Sequence, residues 1–239
     1  MKLAGKTALV TGGTDGIGKA LALRLKHEGV QIVVVGRDDA RLAQARADGF
    51  EALQADLATP AGVDGLVEAV GRRPIDILVN NAGAGAAYDV STDIDLAAVD
   101  RCIFLNLNAP IHLTTRLLPA LRARPEAMIV NLTSGLAIAP NSRSPVYCAT
   151  KAGLRSFTMA LRSQLAGSPV HVLEVLPPVV ETRMTADNPH RKMPAAACAA
   201  AIVRAMAAGR TEANVGATKW LRRVYSLSPA IARRVMLRY

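Results

Sequence analysis

Short apolar runs alternate along this chain with segments of helical periodicity, and that alternation restricts the fold more than any other feature. Lys6–Val10, Gln31–Gly36, Phe50–Ala55, Ile75–Asn80, Met128–Leu132 and Val170–Leu176 read as strands, with Glu212–Val215 a shorter seventh. Helical patterns fall between them: Ile17, Ala20, Leu21, Leu23 and Leu25 recur until Gly29, and further helices are predicted over Ala40–Ala47, Pro60–Val70, Asp95–Leu121, Tyr147–Ala166 and Ala195–Ala208. Strands that are apolar throughout suit a parallel sheet covered on both faces. The expectation is an α/β doubly wound three-layer sandwich around a mostly parallel seven-stranded sheet. Half of the 239 residues are apolar and only 3% are aromatic, so the core is expected to be large and aliphatic. No linker divides the chain; it reads as one domain over 1–239, with 185–239 a lid and basic tail within it.

Ligands of such sheets bind beyond the carboxyl ends of the strands. Several chemically distinctive residues fall there. Thr11-Gly12-Gly13-Thr14-Asp15-Gly16-Ile17-Gly18 joins the first strand to the first helix. Its glycines permit a tight turn and close approach to a pyrophosphate, which the helix N-terminus then faces. The GxxxxGK[ST] phosphate loop and the GxGxxG fingerprint are both absent. Asn80, Ser134 and Pro177 end later strands, and Tyr147 and Lys151 stand four apart, one helical turn on one face. An ammonium so placed is expected to favour the phenolate and lower the tyrosine pKa toward neutrality.

The spacing TGxxxGxG, Asn80-Asn81-Ala82-Gly83, Asn106, Ser134 with Tyr147 and Lys151, and Thr182 five residues after Pro177 together resemble the short-chain dehydrogenase/reductase family over about residues 5–185. The resemblance implies a Rossmann-type fold and an oxidoreductase moving hydride between NADP(H) and a carbonyl or secondary alcohol. It implies Asn106, Ser134, Tyr147 and Lys151 as catalytic residues. Tyr147 would deliver the proton, Ser134 would bond the carbonyl oxygen, Lys151 would also hold the nicotinamide ribose, and Asn106 would hold a water. For the cofactor it implies Thr11, Gly12, Thr14, Asp15, Gly16, Ile17 and Gly18 in the turn, Arg37, Asp56 and Leu57 toward the adenosine, Asn81, Ala82 and Gly83 after the fourth strand, and Tyr147, Lys151, Pro177, Val180 and Thr182. Gly36 stands where NAD-using enzymes carry an acid, and Arg37 follows, so NADP(H) is favoured over NAD(H). Asp15, Asp38 and Asp39 weaken that positive field.

The chain departs from the family where Pro177-Pro178 replaces Pro-Gly, which stiffens the backbone and removes a donor. Such Pro-Pro variants, with a Gly-x-Thr-Lys segment like Gly216–Lys219, are similar to reductases of the D-alanylation-operon type. Gly85–Tyr88, Leu136–Pro140, Val179, Val180 and Met184 are expected as largely apolar substrate walls suited to a hydrophobic ketone; the other reading is that they pack their own loops. Pro125, Glu126, Ser168 and Pro169 occupy positions where carrier-protein-dependent relatives use basic residues. A homodimer or homotetramer is implied. The competing function is a non-catalytic dinucleotide-binding sensor or scaffold, which would need no proton donor.

The charge is uneven. Of 29 Lys and Arg, ten fall in residues 190–239 beside one acid, so the net +10 describes the tail and not the fold. Trp220, Leu221, Val224, Tyr225 and Leu227 form a helical face until Pro229 breaks it; Ile231, Val235 and Met236 recur beyond. The tail reads as a packing cap, or as a weak membrane-surface contact; binding to nucleic acid is not expected. Cys102, Cys148 and Cys198 lack CxxC spacing, no metal-ligand cluster occurs, and no secretory or spanning segment is found, so a cytoplasmic protein with reduced thiols is expected.

Overall fold

The computed structural model describes residues 1–238. Among them β1 (Thr7–Thr11), β2 (Gln31–Gly36), β3 (Glu51–Gln54), β4 (Ile77–Asn80), β5 (Ala127–Leu132), β6 (Val170–Leu176) and β7 (Glu212–Asn214) form one sheet in the order β3-β2-β1-β4-β5-β6-β7. Every pairing is parallel, where a mostly parallel sheet was expected. The helices are α1 (Gly16–His27), α2 (Asp39–Ala47), α3 (Pro60–Val70), α4 (Leu96–Ile103), α5 (Ala109–Arg122), α6 (Pro145–Gln164), α7 (Ala195–Ala207), α8 (Thr218–Leu227) and α9 (Pro229–Leu237).

Successive strand residues point to opposite faces, and the apolar runs therefore feed two cores at once. Val10, Val34, Val79 and Val130 meet Leu21 and Leu25 of α1, Leu42 of α2, and Ile202 and Met206 of α7. Their neighbours Leu9, Val33, Leu78 and Ile129 meet Leu66 of α3, Leu113, Leu117 and Leu121 of α5, and Leu161 of α6. Each fully buried leucine or valine contributes about 1.5–3 kcal/mol. Right-handed crossovers place β2 and β4 on either side of β1, so the chain reverses direction across the sheet there and a crevice opens at the carboxyl ends.

One expectation is corrected. The long helix predicted over Asp95–Leu121 is broken: Phe104–Asn108 is a π-turn, and the Ala109 N–H reaches back to the Phe104 carbonyl. The wide turn leaves Asn106 with no exposure at all. The break expected at Pro229 is present: α8 stops at Leu227 and a separate helix follows. Pro229 opens α9 at a position where its missing N–H costs nothing, and the Ser228 hydroxyl accepts from Ile231 N at 3.4 Å. No helix among the described residues is long and apolar enough to cross a membrane.

Candidate active site

The glycine turn is built by exclusion. Gly12 and Gly16 lie at φ +62° and +52°, where L side chains are strained, and a Cβ on Gly18 would overlap the Gly12 carbonyl oxygen and the Asn81 amide. The Asp15 carboxylate caps α1 by accepting from Gly16 N at 2.7 Å. Thr11 and Asn81 lace β1 to β4. The Thr11 hydroxyl donates to Val79 O at 3.1 Å and accepts from Asn81 N and Ala82 N, each at 3.0 Å. The Asn81 amide donates to Thr11 O at 2.8 Å and Gly12 O at 3.1 Å. These two residues therefore shape the cradle from behind. The cradle's backbone, closed to any Cβ at Gly18 and backed by the α1 N-terminus, fits a pyrophosphate.

A cleft of about 470 Å³ runs over the strand ends. Gly12, Thr14, Asp15, Gly16, Ile17, Arg37, Asp56, Leu57, Asn81, Ala82, Gly83, Ser134, Tyr147, Lys151, Pro177, Val180 and Thr182 line it; Thr11, Gly18 and Asn106 lie behind its wall. Of the expected substrate walls, Gly85, Val180 and Met184 reach the cleft, whereas Ile138 and Ala139 are buried within their own loop. At the adenosine end a Cβ on Gly36 would stand 2.7 Å from the Thr14 hydroxyl, so no acidic side chain fits at that position without moving Thr14. Arg37 is exposed and forms no ion pair among the described residues. Asp56 is paired with Arg101 of α4 at 2.8 Å, which with the Ala58 N–H holds its carboxyl below the usual range.

Ser134 follows β5 by two residues and caps the short turn Gly135–Ala137, its hydroxyl accepting from Leu136 N at 3.1 Å. Tyr147 sits half-buried in the first turn of α6. Burial pushes its phenol up to about 12, and the neighbouring Ser134 hydroxyl pulls it down only in part. This corrects the expectation that Lys151 acidifies it. Lys151 is 4% exposed, its ammonium donates to Leu132 O at 2.9 Å, and it stands 5.6 Å from the Tyr147 ring centre. Burial depresses Lys151 itself to about 8, so it still carries its proton at neutral pH. The Asn106 amide oxygen accepts from Ala84 N at 2.9 Å, and its NH₂ donates to Ala84 O at 2.8 Å and Thr150 Oγ1 at 3.2 Å. Asn106 thus pins the loop after β4 that carries Gly83, whose open side faces both the Asn106 oxygen and the Lys151 ammonium.

The depressed lysine has a measurable consequence. Unfolded, Lys151 titrates near 10.5; folded, near 8. Between those values the unfolded chain binds more protons, so the residue's contribution to stability rises with pH across that window, by about 3 kcal/mol. Urea unfolding of wild type and Lys151→Met at pH 7 and pH 10.5 should show their stability difference moving by that amount in favour of wild type; a constant difference contradicts the buried charge.

Two cleft arginines, Arg41 and Arg183, and a third that pairs a cleft acid escaped sequence reading. Arg41 bonds Asp38 at 2.9 Å and lies 3.6 Å from Asp15, Arg183 reaches Asp15 at 3.7 Å from across the cleft, and Arg101 holds Asp56. The first had one signal: Arg37 and Arg41 are a helical turn apart. Behind the site a buried ion ladder joins four elements. The Thr133 hydroxyl donates to Glu174 at 2.8 Å; Arg155, one turn beyond Lys151, bonds Glu174 at 2.7 Å and Glu212 at 3.0 Å. Burial raises the Glu174 carboxyl more than Arg155 lowers it, while Glu174 and Glu212 more than offset the burial of Arg155.

A family model described as short chain dehydrogenase matches residues 6–192. The uncharacterized oxidoreductase DltE of Bacillus subtilis is 43% identical over 187 residues, covering 76% of this chain and 74% of its own. Serine 3-dehydrogenase of Rhizobium radiobacter is 36% identical over 75% of this chain and 74% of its own. Among solved structures, a short-chain dehydrogenase of Sphingobium yanoikuyae in complex with NADPH superposes with a TM-score of 0.81 at 27% identity, over 95% of both chains. The matched span runs from the glycine turn through Ser134, Tyr147, Lys151 and Thr182, and the chain belongs to the short-chain dehydrogenase family of oxidoreductases.

Proposed function

We propose that this oxidoreductase reduces an apolar ketone with NADPH. The observation that carries the reading is the placement of Ser134, Tyr147 and Lys151 in the same cleft as the glycine cradle. A bound nicotinamide would supply the hydride. The chain's own residues do the rest. Ser134 donates to the carbonyl oxygen as negative charge develops there. Tyr147, protonated throughout the neutral range, gives that oxygen its proton. Lys151 and Asn106 fix the floor of the cleft beneath Gly83, and Lys151 serves the ribose. Val180, Met184 and Pro178 give the cleft an apolar side, which favours an uncharged substrate. Residues 185–239 supply the lid and the basic tail, and assembly into a homodimer or homotetramer follows the family's habit.

Arg37, unpaired and exposed at the adenosine end, receives the 2′-phosphate, and the space closed by Thr14 over Gly36 disfavours the acid that NAD-users need. Losing charge-assisted hydrogen bonds costs about 1.5–3 kcal/mol. Arg37→Ala is therefore expected to raise KM for NADPH roughly 10–100-fold and to leave KM for NADH unchanged. An equal change with both cofactors, in steady-state assays on a panel of ketones, overturns the NADP(H) assignment.

A further inference from the structure

The last two helices carry a surface that the catalytic reading leaves unused. α8 buries Thr218 and sets Leu221 against Gly135, beside Ser134. Its other side shows Trp220, Arg223, Val224 and Leu227, at i, i+3, i+4 and i+7; Trp220 is 66% and Leu227 88% exposed. α9 buries Ala232 and repeats the pattern outward with Ile231, Arg234, Val235 and Arg238. Both helices therefore present an apolar stripe edged by arginine. The Arg223 guanidinium lies over the Trp220 ring at 4.8 Å and Arg233 over Tyr225 at 5.7 Å. No acidic residue follows Glu212 in the sequence. Arg222 is neutralised by Glu212, but Arg223, Arg233, Arg234 and Arg238 form no ion pair among the described residues.

Charge decides what covers these stripes. A second copy meeting them isologously would bring four unpaired arginines against four, with no carboxylate in the tail to separate them. The occupant must present negative charge with an apolar layer directly beneath it. We propose that α8 and α9 dock on an anionic membrane surface, with Trp220, Leu227 and Ile231 entering the acyl boundary and the arginines meeting lipid phosphates. A tryptophan under an arginine suits that interface, where one end of the ring is dry and the other wet. The proposal is independent of the proposed substrate.

Trp220 is the chain's one tryptophan, so its emission reports on this surface alone. Full-length protein is mixed with vesicles of phosphatidylcholine, alone or with an equal part of phosphatidylglycerol, and followed by fluorescence and sedimentation. The expected result is a blue shift and co-sedimentation with the anionic vesicles only, reversed by high salt. Exchanging Arg223, Arg233, Arg234 and Arg238 together for Gln should weaken partitioning at least ~100-fold, at about 5-fold per cation. Leu227→Ser with Ile231→Ser should abolish the blue shift; all these sites are exposed, and an unchanged melting curve verifies folding. Absence of a blue shift with anionic vesicles overturns the proposal. So does a blue-shifted emission before lipid is added that reddens when Leu227→Ser/Ile231→Ser lowers the molar mass in light scattering, since a second copy then covers the face. Binding to polyglutamate without binding to vesicles overturns it in favour of an acidic polypeptide.

Discussion

Tyr147→Phe should lower kcat by about 10²–10⁴-fold while leaving nucleotide affinity and melting temperature as they are. The substitution removes one hydroxyl from a half-buried ring and keeps the packing of α6. The loss would fall on the proton alone, because burial holds the phenol protonated, at about 12. Ser134→Ala should cost less, about 10²–10³-fold, since it removes a single stabilising donor. Steady-state kinetics with NADPH and nucleotide titrations of each variant check both. A Tyr147→Phe enzyme that turns over near the wild-type rate removes Tyr147 from the chemistry.

Glu174→Ala should have the largest effect on stability. Glu174 is wholly buried and Arg155 is 15% exposed, so truncating the acid leaves the guanidinium with only the more exposed Glu212 as its partner. Breaking a buried pair from one side costs about 3–5 kcal/mol. For a chain of this size that lowers the melting temperature by roughly 6–20 °C. Replacing Arg155 and Glu174 together with Met should recover most of the loss, because burial already works against both charges and an apolar pair carries no such cost. Thermal melts of the single and double variants separate the cases; a Glu174→Ala melt that coincides with wild type contradicts the account of the ladder.

The sequence was most legible where local pattern and tertiary demand coincide. β2 is a β-branched run with one core on each face, so its bounds, Gln31–Gly36, agree with expectation. The glycine turn was legible because sterics leave no alternative to glycine at Gly18. The π-turn was not: Phe104–Asn108 has helical composition, and the extra residue arises from Asn106 bonding to Ala84, 22 positions away. The electrostatics of the site also resisted reading. The Tyr147–Lys151 spacing gave the right face, but burial of the phenol reversed its expected shift. The ion ladder depends on β5, β6 and β7 lying in register, which no local signal in Glu174 or Arg155 declares.

The central claim is that this cleft moves hydride from a reduced nicotinamide to a carbonyl carbon with Tyr147 supplying the proton. NADPH deuterated at the nicotinamide C4, on each face in turn, tests it when incubated with the enzyme and a panel of apolar ketones and the products are analysed by mass spectrometry. The account predicts an alcohol one mass unit heavier from one of the two labelled faces, with the deuterium on the carbinol carbon, and no such product from Tyr147→Phe on the same timescale. Nucleotide that binds but delivers no label to any ketone, or an alcohol whose new hydrogen comes from solvent, would contradict it.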